Sequence, residues 1–235
     1  MKLVLITGAT KGIGRSTAIA FANSGWDLIL IARNIKMLKD LKNELSNTGR
    51  NINIAQCDLS YSDQIVNVVS EVIRKYGCPS VLINNAGFAY NGDLLEMSRS
   101  DWGRVIQVNL TSVFEICKIV VPFMRNKGGV IINVSSHAAN NVFSKWGAYC
   151  VSKAALSTFT KCLREEERLN SIKACTITLG SVDTPLWDSD SVSADFDRSS
   201  MLSSNEVAKN IVYIAEQPSN QIIEDLTLMP AGGAF

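Results

Sequence analysis

The sequence predicts an α/β fold: a Rossmann-type, doubly wound parallel sheet of about seven strands flanked by helices, built as a single domain over residues 1–235. Three observations carry that prediction. Short apolar runs alternate along the whole chain with stretches of helical period. The runs lack polar alternation, which is how strands covered on both faces read. The first run, Leu3-Val4-Leu5-Ile6, passes directly into a glycine-rich turn, Thr7 to Gly14.

Composition sets bounds on function. With 46% hydrophobic and 19% charged residues and a formal charge of +1, the chain has no overall electrostatic reason to bind nucleic acid or an anionic membrane. Six cysteines occur without a Cys-x-x-Cys pair, a pattern of reduced thiols in a cytoplasmic protein. The single histidine, His137, leaves little for a metal site or a His-based triad, so no metal is expected. The apolar run after Met1-Lys2 reads as a strand, not a signal peptide, and no stretch is expected to approach the roughly 18 apolar residues of a membrane span.

In order, the strand Leu3 to Ile6 leads through the glycine turn into a helix reaching about Ser24. Gly8 suits the tight turn, Gly12 a close approach of backbone to a pyrophosphate, and Gly14 close packing of the helix, with the opening amides facing the anion. Gly8, Thr10, Lys11, Gly12, Ile13 and Gly14 are therefore candidate cofactor contacts. No Gly-Lys-Ser/Thr closes the loop, which argues against an NTPase. The second strand, Asp27 to Ala32, ends at Arg33. An acidic residue there would suit the ribose of NAD, whereas Arg33 and Lys11 suit the 2′-phosphate of NADP(H).

A polar helix over about 35–47 precedes the third strand, Ile52 to Cys57, and Asp58-Leu59 at its end is placed to touch an adenine edge. A helix over about 62–76 leads to the strand Val81 to Ile83 and the turn Asn84-Asn85-Ala86-Gly87, where Asn85, Ala86 and Gly87 suit a passing cofactor. The long helix over about 100–126 is apolar on more than one side, as a subunit contact would be, and Asn109 in its middle needs a specific polar task. The strand Val130 to Val134, a helix over about 147–168 and the strand Ala174 to Leu179 follow. Gly180-Ser181-Val182-Asp183-Thr184 leaves that strand and opens a substrate lid over about 184–203. Ser203-x-x-Glu206 is a capping box for the last helix, and Leu226 to Leu228 closes the sheet.

Tyr149 and Lys153 stand one turn apart on one helix face. A free phenol has a pKa near ~10, and an ammonium beside it is expected to lower that value toward the working range. Ser136, at the end of the fifth strand, is placed to polarise a carbonyl while Tyr149 moves the proton. Phe88, Tyr90, Phe143, Trp146 and Trp187 are candidates for an apolar substrate wall; His137, beside Ser136, is read first as a structural hydrogen-bonding residue, with a place at the pocket's border as the alternative. The acidic lid, with Asp183, Asp188, Asp190, Asp195 and Asp197 against Arg198, argues against a highly acidic substrate gripped by the lid alone.

Taken together, Gly8 to Gly14, Asp58, Asn84 to Gly87, Asn109, Ser136, Tyr149 with Lys153, and Gly180-x-Val182-x-Thr184 resemble the short-chain dehydrogenase/reductase family over nearly the whole chain. The likeness is to its NADP-preferring members of the 3-oxoacyl-carrier-protein reductase and 3-hydroxy acid dehydrogenase kind. The resemblance implies that Asn109, Ser136, Tyr149 and Lys153 are catalytic, Asn109 supporting a water-linked proton path. It also implies that Lys153 holds the nicotinamide ribose and that Val182 and Thr184 meet the carboxamide. Pairing through the helices at about 100–126 and 147–168, as a homodimer or homotetramer, is implied too. Leu179 departs from the family, which usually has proline before the glycine, and Ile223 to Pro230 is closer to hydroxy-acid and sepiapterin-type reductases.

The resulting expectation is a reversible NADP(H)-dependent reductase of a small ketone or aldehyde. The alternative is an NADP-binding sensor or scaffold with little turnover, and isomerase or dehydratase chemistry on the same fold is a third possibility.

Overall fold

The computed structural model describes residues 2–125, 127–192 and 197–233. The part of the expected lid at 193–196, with Asp195 and Phe196, and the expected helix end at Asn126 lie outside the described residues.

Seven parallel strands form one sheet: β1 (Leu3–Thr7), β2 (Asp27–Ala32), β3 (Ile52–Gln56), β4 (Val81–Asn84), β5 (Gly129–Val134), β6 (Ile172–Leu179) and, last in the chain, β9 (Asp225–Leu228). Their order is β3-β2-β1-β4-β5-β6-β9, so the chain reverses its direction of winding between β1 and β4. A crevice opens at that switch point, outside the carboxyl ends of the strands.

Alternation along each strand divides the core in two. Val4 and Ile6, Leu28 and Leu30 point to one face, where helices α1 (Gly12–Asn23) and α7 (Ser204–Ala215) cover them with Ala18, Phe21, Val207 and Ile211. Leu3 and Leu5, Ile29 and Ile31 point to the other, against α3 (Ser62–Tyr76), α5 (Ser112–Met124) and α6 (Gly147–Glu167). Each such Leu or Ile contributes about 1.5–3 kcal/mol on burial. The continuous apolar runs follow from this: a strand covered twice has no polar side.

Some boundaries differ from expectation. Helix α2 (Ile35–Glu44) passes into a 3-10 turn at Leu45–Thr48, and Gly49 ends it with φ of 68°. The long helix is α4 (Arg99–Ile106) and α5 joined by a π-helical segment at Gln107–Thr111. That stretch, Arg99–Met124, is long and apolar enough by length and composition to cross a membrane, contrary to the sequence reading. Its apolarity has a packing cause: Val105, Val113, Ile116 and Val120 are buried in the core, while Phe114 and Phe123 stand exposed on another side. Two short strands, β7 (Val182–Asp183) and β8 (Leu202–Ser203), pair with each other and bring the two ends of the lid together. Ser203 and Glu206 form the expected capping box on α7. All six cysteines are free, with Cys57, Cys117, Cys150 and Cys175 buried.

Candidate active site

The loops leaving the strand ends enclose one long cleft of about 1280 Å³. At its middle, β1 turns through Gly8, whose φ is 65°. The turn is clamped to the exit of β4: Thr7 Oγ1 accepts from the amides of Asn85 and Ala86, both at 3.1 Å, and Asn85 Nδ2 donates to the Thr7 carbonyl at 2.9 Å. Gly14 packs behind this turn, where a Cβ would lie 2.3 Å from the Gly8 carbonyl oxygen and 2.4 Å from Asn85 Nδ2. Only a glycine fits there.

Lys11 is the N-cap of α1 and gives it no side-chain cap, so the opening amides at Gly12 and Ile13 meet the cleft without a local acceptor. Such a helix start attracts an anion. Gly12, with φ of 48°, also lies under the strap that leaves β6: its Cβ would be 3.0 Å from Thr184 Cβ. Three exposed cations, Lys11, Arg33 and Lys36, line this end of the cleft. Lys36 went unnoticed in the sequence, although it sits in the first turn of α2 just beyond the N-cap Asn34. Asp58 and Leu59 line the cleft as well, and Asp58 Oδ1 accepts from the Ser60 amide at 2.9 Å, holding the turn after β3.

On the far side, β5 delivers Ser136 and α6 delivers Tyr149 and Lys153 to the same wall. Ser136 caps a 3-10 turn at His137–Ala139, accepting from the Ala138 amide at 3.2 Å, and its hydroxyl lies close enough to the Tyr149 phenol to act on that group's pKa. Lys153 is buried and donates to the Val134 carbonyl at 2.8 Å, with Nζ 5.7 Å from the centre of the Tyr149 ring.

The expected effect of Lys153 on Tyr149 needs correction. Burial pushes the phenol up to about 12; the Ser136 hydroxyl opposes this without cancelling it. Burial also pulls Lys153 down to about 8. Spacing along a helix reveals that two groups are close, but not how much water both have lost. Here the loss of water dominates.

Asn109 lies behind this wall in the π-helical segment. Its Oδ1 accepts from the Phe88 amide at 2.7 Å, and its Nδ2 donates to the Phe88 carbonyl at 2.9 Å and to Ser152 Oγ at 3.0 Å. Ser152 in turn donates to the Tyr149 carbonyl at 2.7 Å. Both Nδ2 hydrogens are thus committed to fixing the β4 exit against α6, a positioning task the sequence signalled only as a polar residue among apolar ones. A Cβ on Gly87 would lie 3.7 Å from Asn109 Oδ1 and 3.8 Å from Lys153 Nζ, so these three residues meet at one point.

Of the expected aromatic wall, Phe88, Phe143, Trp146 and Trp187 line the cleft, and His137 does too. Tyr90 instead folds over Gly92, and it is not among the lining residues. Gly180, Val182 and Thr184 line the strap, and Arg198 holds it: the guanidinium donates to Asp183 at 2.7 Å, Asp188 at 2.8 Å and the Thr184 carbonyl at 2.9 Å. Leu179 completes β6 in register with Leu228, and Pro230 packs so closely on Gly180 that a Cβ there would lie 2.7 Å from its Cδ. Rigidity at this corner is supplied by the neighbouring strand's exit.

The residues present fit a dinucleotide: an uncapped helix start, a glycine turn with no room for side chains, and cations where a terminal phosphate would lie. Among the described residues no group of three or more His, Cys, Asp or Glu side chains is placed to hold a metal.

Comparison with known proteins agrees with this geometry. The sequence model of a family described as short chain dehydrogenase matches residues 2–194. The chain is 35% identical over 188 residues to 3beta-hydroxysteroid dehydrogenase of Mediterraneibacter gnavus, covering 80% of this chain and 68% of that one. It is 34% identical over 190 residues to the 3-oxoacyl-acyl-carrier-protein reductase FabG of Thermotoga maritima, covering 80% and 76%. Among solved structures, an alcohol dehydrogenase from the archaeon Thermococcus sibiricus, complexed with 5-hydroxy-NADP, superposes with a TM-score of 0.90 at 25% identity, covering 98% of this chain and 97% of that one.

Proposed function

The chain belongs to the short-chain dehydrogenase family, and on that premise we propose that it is an NADP(H)-dependent oxidoreductase reducing a ketone or aldehyde to an alcohol, with Tyr149 as the proton donor. The observation that carries this reading is the meeting of Ser136, Tyr149 and Lys153 on one wall of the cleft that also contains the glycine turn. Lys11, Arg33 and Lys36 support the phosphorylated cofactor, as does the NADP-type ligand of the Thermococcus relative.

When bound, NADPH supplies a hydride to the carbonyl carbon. The chain's own residues do the rest. The Ser136 hydroxyl donates to the substrate oxygen and holds the carbonyl toward the cofactor. Tyr149 gives its proton to that oxygen as negative charge develops there, so the C=O bond becomes CH–OH. A phenol pushed up to about 12 is protonated at neutral pH and still far more acidic than an alcohol, which suits reduction better than oxidation. Lys153, cationic at neutral pH with its pKa near 8, stabilises the phenolate until solvent returns the proton. Asn109 and Ser152 hold α6 and the β4 exit in register for this. We further propose that Phe114, Phe123 and Val151, exposed on α5 and α6, lie in a contact between subunits.

The test is Tyr149→Phe. NADPH consumption on a panel of ketones is expected to fall about 10²–10⁴-fold, while NADPH binding, followed by nicotinamide fluorescence, is retained. Equal turnover by the variant would remove Tyr149 from the chemistry, and NADPH binding without any turnover by the unaltered protein would favour the sensor.

A further inference from the structure

We propose that the substrate is an uncharged carbonyl compound bearing a flat apolar ring that packs against the joined faces of Trp146 and Trp187, and that anionic carbonyl compounds are rejected. The proposal rests on the reductase reading above and names its substrate class.

Trp146 is the residue before α6, so its indole stands directly beside the phenol. Its ring centre is 5.6 Å from that of Tyr149, edge to face at 73°, and 5.9 Å from that of Trp187 at 63°. A continuous aromatic surface therefore runs from the reacting hydroxyl to the strap. Trp187 is fixed from behind, because Nε1 donates to the Val182 carbonyl at 2.9 Å. Phe143 adds a third ring to the lining. Such faces favour offset or edge contacts with another ring over contact with a polar chain.

Charge points the same way. The cations Lys11, Arg33 and Lys36 belong to the ends of β1 and β2, whereas the tryptophans follow β5 and β6. Between β2 and β6 lie four strand spacings, about 19 Å at ~4.8 Å each. Arg33 and Lys36 are out of reach of a substrate at Tyr149, and Lys11 stands at the uncapped start of α1, at the anion-binding end of the cleft. Near the tryptophans the charged lining groups are Asp188, paired with Arg198, and Asp190, which has no cationic partner among the described residues. Arg104 is stacked 4.3 Å from the Phe88 ring after β4, and Lys153 is held on the Val134 carbonyl. A carboxylate entering beside Trp187 would give up water and meet like charge.

The experiment compares ethyl 2-oxo-4-phenylbutanoate with 2-oxo-4-phenylbutanoate, which differ in charge, and with ethyl pyruvate, which lacks the ring. All are given with NADPH to the full-length protein. The phenyl ester is expected to exceed both others in kcat/KM by about tenfold or more. In Trp187→Ala its advantage over ethyl pyruvate is expected to shrink by about tenfold, with the dissociation constant for NADPH measured alongside to verify the fold. If the carboxylate matches or beats its ester, or if ethyl pyruvate equals the phenyl ester, the substrate class is overturned and the reductase reading stands. If none of the three is reduced while other ketones or aldehydes are, the substrate class is overturned; if NADPH binds and no ketone or aldehyde of the panel is reduced, the reductase reading fails and takes this proposal with it.

Discussion

Around β1 and β4 the cleft is walled by backbone against backbone, with Thr7 and Asn85 as side-chain clamps and no space for a Cβ at Gly14. Around β5 and β6 it is walled by side chains: two tryptophans, a phenylalanine, and a strap held by one arginine. The first arrangement has no adjustable parts and suits a ligand of fixed shape. The second changes whenever one residue changes, as loops that set specificity do. The difference teaches where this molecule can vary.

The largest effect should come from disturbing the rigid half. In Gly14→Ala the new methyl meets a backbone oxygen at 2.3 Å, which no side-chain rotation relieves. A loss of about 1–3 kcal/mol from overpacking is expected, and a chain of this size loses roughly 2–4 °C in Tm for each. Dinucleotide binding should fall with it. An unchanged Tm and binding would mean the turn is softer than its geometry implies.

Lys153 lies at the boundary of the halves. Its folded pKa, about 8, is below the ordinary value of 10.5. Below pH 8 both folded and unfolded chains carry the charge, so the full cost of burying it is present; as pH rises from 8 through 10.5 that cost fades. Lys153→Met is therefore expected to stabilise the fold at pH 7, by at most roughly 3 kcal/mol. The gain should vanish above about pH 10.5. Urea unfolding at both pH values reads this directly, and a gain independent of pH would assign it to packing alone. Tyr149 acts at the alkaline end: with a folded pKa of about 12, the stability it contributes as a neutral phenol is lost as pH rises from 10 through 12.

A smaller effect is expected on the strap. Removing the Arg198 guanidinium deletes two ion pairs, to Asp183 and Asp188, that solvent screens. In Arg198→Ala, amide hydrogen exchange across residues 184–191 should quicken about 2–30-fold, while residues 8–14 keep their protection. Equal quickening in both segments would erase the contrast between the halves.

The seven strands were legible because double burial leaves an unmistakable run of apolar residues, and the glycine turn because its place between strand and helix is a local pattern. Most of the candidate site was legible for the same reason: Ser136, Tyr149 and Lys153 are placed by a strand end and a helix period. What escaped depends on contacts distant in sequence. The β7–β8 pair joins Val182 to Leu202 with no periodicity to reveal it. Trp146 and Trp187 were named only as candidates because nothing local shows whether an aromatic ring faces the core or a cleft. Asn109 was noticed as a misfit in a helix, but the π-helical turn around it was not, and the direction of the Tyr149 shift was missed because sequence spacing carries no measure of lost hydration.

That π-helical turn has a consequence for how the chain tolerates change. It fits more backbone into its axial rise than an α-helix would, and each α-helical residue turns the chain by about 100°. Dropping one residue between Gln107 and Thr111 would remove that surplus and let the helix close with Val105 and Ile116 still in phase, whereas the same loss inside α4 or α5 would swing one face about a quarter-revolution toward solvent. The helix therefore carries its tolerance for a change in length at this one turn.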